Sequence, residues 1–167
     1  MDRRSILKTS TATIGGVIAA TAAAGCASVA ADGSDKSAPR SPFKVASVTM
    51  TRRDLQRGMG DQEKPWEIGK SFDHAAVLGP IHPATKTGHF TKGAISLAVN
   101  GTMRQDSNLD KMIWSVAEQI AKLSEAFELK AGGIIYSGTP ENVGPVVKGD
   151  LLVGRIDGLP ELSVRII

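Results

Sequence analysis

Residues 51–74 read TRRDLQRGMGDQEKPWEIGKSFDH. They bring five cationic side chains, five acidic ones, two Gln, a Trp and a His into one segment with few apolar residues. Arg52, Arg53 and Lys70 could bind a carboxylate or an enolate and stabilise negative charge as it develops. Gln56 adds an amide. Asp54 and Asp73 add carboxylates, and Asp73-His74 could orient or shuttle a proton. The bland alternative is a solvated loop with local ion pairs, worth little to stability, and composition alone leaves that reading standing. Further on, Ser137-Gly138-Thr139-Pro140 could aim backbone N–H groups and the Thr139 hydroxyl at a carboxylate, or be an ordinary turn.

Other chemistries find no support. There is no G-x-S-x-G, so Ser137 is not in a nucleophile elbow. Gly58 and Gly60 lack the third glycine and the helix of a dinucleotide fingerprint. His82 and His89 sit in a Gly/Pro/Thr-rich stretch without metal-ligand spacing and read as exposed loop histidines. The single cysteine, Cys26, rules out an internal disulfide framework and a multi-cysteine zinc site. The chain is 41% hydrophobic and 22% charged with a formal charge of +3, an ordinary globular balance. No basic stripe with interleaved aromatics marks it for nucleic acid.

The elements that must position these residues can be read from periodicity. Residues 43–50 alternate weakly and read as a strand feeding the polar stretch. Residues 75–81 form a short apolar run ended by Gly79-Pro80. Residues 94–99 alternate and run into Asn100-Gly101, the pair that suits both positive-φ positions of a type I′ turn. A stripe of Leu109, Met112, Ile113, Val116, Ile120, Leu123 and Phe127 predicts one long helix over residues 108–129, with Ser107 and Asp110 at capping-box spacing. Residues 133–136, 151–156 and 162–167 read as further strands. The expected fold is α+β, a dominant mixed sheet with one long helix.

The first 31 residues read as a leader. Arg3 and Arg4 precede Ser5, Ile6 and Leu7, a twin-arginine pattern. An uncharged run of small and apolar residues follows, too short to span a bilayer. Cleavage is expected near Ala30 or Ala31, or at Ala23-Ala24-Gly25-Cys26, which would leave a lipidated Cys26 as a membrane anchor. Residues 32–42 read as a Ser/Pro/Gly linker, so the folded domain is expected over residues 43–167. The leader implies export to the periplasm; a leader that is only a gene-fusion artefact implies a cytoplasmic protein instead.

The order of the polar pieces resembles the fumarylacetoacetate hydrolase family, most of all its fumarylpyruvate and acylpyruvate hydrolase branch. The resemblance rests on TRRDLQ (51–56), Pro65-Trp66, GKSFDH (69–74), LGPIHP (78–83), VNG (99–101), IIYSGTPENVG (134–144) and KGD (148–150), and covers about residues 51–167. It implies a mixed β-roll, usually dimeric, that cleaves carbon–carbon bonds of small oxo acids on a Mg²⁺ or Mn²⁺ site. Arg53 and Lys70 are then the expected catalytic residues. Arg53, Gln56, Lys70 and Thr139 are the expected substrate contacts. The family's Asp metal ligand falls on Thr49 here. Its Glu-x-Glu pair and upstream His belong to a segment that should precede residue 45, where this chain has leader and linker. The resemblance therefore implies the C-terminal part of such a hydrolase with weakened metal binding: either an enzyme acting on an acylpyruvate, or a non-catalytic exported relative.

Overall fold

The structure, a computed structural model, describes residues 12–23 and 43–167, the first of these spans by its backbone alone. Arg3, Arg4, Cys26 and the linker 32–42 lie outside the described residues.

Ten strands are present among the described residues, in two sheets whose strand pairings all run antiparallel. The first sheet has the order β3 (Ala76–Leu78), β2 (Phe43–Arg52), β1 (Ala12–Ala23), β7 (Gly133–Tyr136). Two short strands flank it: β4 (His82–Pro83) pairs with β2, and β8 (Pro145–Val146) pairs with β1. The second sheet has the order β10 (Leu162–Arg165), β9 (Leu151–Ile156), β5 (Ala94–Val99), β6 (Thr102–Asn108).

The core lies between these sheets. Ala46, Val48 and Met50 of β2 meet Ile95, Leu97 and Val99 of β5 and Leu152 and Ile156 of β9. Alternation on each strand supplies one apolar face, and burying each larger aliphatic side chain contributes about 1.5–3 kcal/mol. β2 is buried on both faces, since Val45, Ser47 and Thr51 are also fully covered. The α+β reading holds, with the sheets dominant. Strands β5, β7 and β9 have the bounds read from the sequence, and Asn100 and Gly101 both take the positive φ of a I′ turn. Asn100 also fastens the hairpin, donating to Asp150 and accepting from the Leu151 N–H.

Two expectations are corrected. The long helix over 108–129 is not there: β6 runs to Asn108, a 3-10 turn spans Leu109–Lys111, and the helix α3 is only Val116–Ser124. Its capping box is Ser115 with Glu118, not Ser107 with Asp110. Pairing with β5 takes only Asn108 of that span; the stripe breaks at Met112, which is extended at φ −60° and ψ 131°, and Ile113 is 95% exposed and Phe127 64%. Second, the ordered fold does not begin at Phe43. Residues 12–23, read as the apolar part of a leader, form β1, which pairs along β2 from Ala12↔Arg52 to Ala22↔Phe43. An uncharged run containing Thr, Ile and Val suits a central strand as well as a leader.

Candidate functional site

β2 carries its last residues directly into a short helix, α1 (Arg53–Gly60), and a 3-10 turn at Glu67–Gly69 folds back against that helix. The fold-back is close. A Cβ on Gly69 would stand 2.8 Å from Gln56 Cβ and 3.0 Å from its Cα. Only glycine lets Lys70 follow at this distance from α1.

This geometry assembles three of the expected residues. Arg53 Nη1 donates to Gln56 Oε1 at 2.6 Å. Lys70 Nζ donates to Thr51 Oγ1 at 2.7 Å, and Thr51 is fully buried at the end of β2. Burial, and secondarily the positive charge of Arg53, lowers the Lys70 pKa from its ordinary value. The two cations thus feel each other, which an anion between them would relieve. Arg53 and Gln56 line an open cavity of about 770 Å³, with Trp66, with Val143 and Gly144 from the loop after β7, and with Pro145 at the start of β8.

The remaining candidates fall elsewhere. Arg52 lies over the Phe72 ring at 4.3 Å and serves packing instead. Asp54 is exposed at the cavity rim. Asp73 and His74 are both exposed and are not hydrogen-bonded to each other, and His74 has a positive φ of 62°. Their proposed relay is not formed. Thr139 lines a second cavity of about 480 Å³, together with Ile95, Leu109, Trp114 and Gln119. The loop of residues 137–144 therefore contributes walls to both cavities. His82, read as an exposed loop residue, is half-buried on β4 with a covered Nε2 that lacks a partner; its pairing with Lys44 on β2 draws it in. Two polar residues escaped the sequence reading. Thr51 was only the first letter of a motif, and Gln105, a fully buried amide, sits in the polar run Arg104-Gln105-Asp106 without any local signal.

The donor set for a hard dication does not fit. Among the described residues, no three His, Cys, Asp or Glu side chains gather as metal ligands. Thr49 lies half-buried on β2 opposite Ala76, and a neutral hydroxyl is a poor ligand for Mg²⁺ or Mn²⁺. The nearby cations Lys70 and Arg53 would add repulsion. What the cluster offers is a guanidinium and an amide facing an open cavity, with the Lys70 ammonium close to Arg53, able to hold a small anion and to stabilise charge forming on it.

Comparison with known proteins gives a consistent picture. The family model described as Fumarylacetoacetate (FAA) hydrolase C-terminal matches residues 26–167. Fumarylpyruvate hydrolase of Ralstonia sp is 46% identical over 122 residues, 73% of this chain and 63% of that protein. Oxaloacetate tautomerase YcgM of Escherichia coli is 38% identical over 122 residues, 72% of this chain and 55% of that protein. The crystal structure of fumarylpyruvate hydrolase from Pseudomonas aeruginosa in complex with Mn²⁺ and pyruvate superposes with a TM-score of 0.85 at 42% identity, covering 96% of this chain and 67% of that one. The chain thus spans somewhat more than half the length of the curated relatives it matches.

Proposed function

Because the chain belongs to the fumarylacetoacetate hydrolase family, we propose that it acts on an acylpyruvate such as fumarylpyruvate, hydrolysing a carbon–carbon bond. The observation that carries this reading is the pairing of Arg53 with Gln56 on the cavity wall, with Lys70, held by Thr51, close enough to feel the Arg53 charge. Arg53 holds an anionic oxygen of the oxo acid. Gln56, whose Oε1 accepts from Arg53, is turned so that its amide N–H groups can donate to the same ligand. Water adds to the acyl carbonyl, the adjacent carbon–carbon bond breaks, and its electron pair passes into the enolate of pyruvate. Lys70 stabilises that negative charge, and its lowered pKa makes it a readier proton donor to the enolate carbon. Thr139 is assigned to the substrate carboxylate.

A divalent metal, where a relative binds one, would chelate the oxo acid and draw off charge. This chain's described residues do not supply its donors, so no step above depends on it. Thr49 favours a second reading, in which the chain binds an oxo acid without turning it over. A second copy of the chain and export by the leader belong to the proposal as well.

The test is the loss of fumarylpyruvate absorbance with purified protein, with and without Mn²⁺, beside pyruvate binding followed by NMR. Turnover that falls at least tenfold in Arg53→Met and Lys70→Met supports hydrolysis. Binding without turnover supports the second reading, and neither binding nor turnover overturns both.

A further inference from the structure

Gln105 lies on β6, the outer strand of the second sheet, yet it is only 1% exposed while Arg104 and Asp106 beside it are exposed. The register explains this. Leu97 of β5 faces Gln105 and Ala98 faces Met103, so Arg104 is an extra residue at a bulge. A bulge of this kind re-aims side chains, here sending the amide under the loop after β7. Gln105 Nε2 stands 2.8 Å from the Pro140 carbonyl oxygen, 2.9 Å from that of Glu141 and 3.3 Å from Thr139 Oγ1. Its Oε1 is covered and has no partner. The amide orientation is nevertheless fixed, since a flip would press Oε1 against two carbonyl oxygens.

We infer that Gln105 is a positioning residue that clamps the Ser-Gly-Thr-Pro turn and sets the direction of the Thr139 hydroxyl. Thr139 accepts from Gln105, so its own hydrogen is turned outward to donate to an anionic oxygen. Gly138, at φ 100°, supplies the backbone conformation that the turn needs between Ser137 and Thr139. Fixing residues 139–141 also fixes the loop whose later residues wall the Arg53–Gln56 cavity. The inference rests on the reading above in one respect only, that Thr139 meets the carboxylate of an oxo acid.

The experiment uses the full chain, with Gln105→Met (similar in shape, without donors) and Gln105→Glu. Two readouts are taken: amide hydrogen exchange across residues 138–142, and pyruvate affinity by NMR titration. Gln105→Met is expected to speed exchange in the turn at least tenfold and to weaken pyruvate at least fivefold. Thr139→Val added to Gln105→Met is expected to cost little more. Gln105→Glu is expected to regain both properties at low pH, where the introduced carboxyl carries a proton to donate; a merely structural role predicts no such recovery. Unchanged exchange in Gln105→Met, or Gln105→Glu with no pH dependence, overturns the clamp. A parent chain that binds no pyruvate overturns the oxo-acid reading, while the exchange data still decide the clamp.

Discussion

Lys70 Nζ and Thr51 Oγ1 meet at 2.7 Å across nineteen residues of sequence, tying the turn after α1 to the buried end of β2. The hydroxyl gives the ammonium a fixed address, because Thr51 cannot move without opening the core. A charged donor so placed contributes about 1.5–3 kcal/mol to holding an anion. Lys70→Met should therefore weaken pyruvate binding by about 10- to 100-fold with little change in thermal midpoint. Thr51→Val should keep the shape, cost about 1 kcal/mol of stability and weaken the ligand less than Lys70→Met does. Titrations of both variants check the order of effects.

The lowered Lys70 pKa carries a pH consequence. Anion binding needs the ammonium, so affinity should fall as pH rises through the lowered pKa, earlier than an ordinary lysine would allow. Arg53→Met removes the neighbouring charge and should move that fall to higher pH. Pyruvate affinity measured between pH 6 and pH 11 tests this; an unmoved midpoint in Arg53→Met counts against the coupling.

Lys44 gives an opposite signature in stability. Its Nζ is covered, has no hydrogen-bond partner, and lies 3.5 Å from the Phe90 ring centre. Burial lowers its pKa to about 8. A base with a depressed folded pKa penalises folding below that value, and the penalty fades as pH rises from about 8 toward the unfolded lysine value. Stability should rise over that window. Lys44→Met should flatten the rise and raise the thermal midpoint at pH 7 by a few degrees, roughly what 1 kcal/mol does in a domain of this size. Thermal melts across pH measure both.

Gly69 is the steric hinge of the site. Gly69→Ala would drive a methyl group into Gln56 at 2.8 Å, where backbone atoms stand close behind. The expected cost is about 1–3 kcal/mol, with weaker ligand binding because Lys70 is displaced from Thr51. A melt and a pyruvate titration read the two effects separately.

Metal affinity should be poor. With Thr49 at the strand position and no acidic cluster among the described residues, Mn²⁺ and Mg²⁺ should bind more weakly than about 1 mM. Calorimetric titration giving micromolar affinity would contradict this.

How far the sequence speaks depends on whether a feature is local. β5, β7 and β9 were legible because alternation and the Asn-Gly turn are written into consecutive residues. The Arg53, Gln56 and Lys70 cluster was legible from motif order. The helix over 108–129 failed because apolar spacing does not register the extended backbone at Met112 or the new start that Ser115 and Glu118 cap. The strand character of residues 12–23 was hidden for a different reason: its partners lie on β2, β7 and β8, far along the chain. Gln105 left no trace, since its burial comes from a bulge and from carbonyl groups about 35 residues away.

The position of β1 can be put as a question of connectivity. Draw each strand of the first sheet as a node and each ladder as a link. β1 is then a cut vertex: erase it, and β7 and β8 lose every link to the β2 group. If those twelve residues also serve as an address label, one text is being read by two machines. Whichever reads it first withholds it from the other, so the order of delivery and folding would become part of the protein's specification.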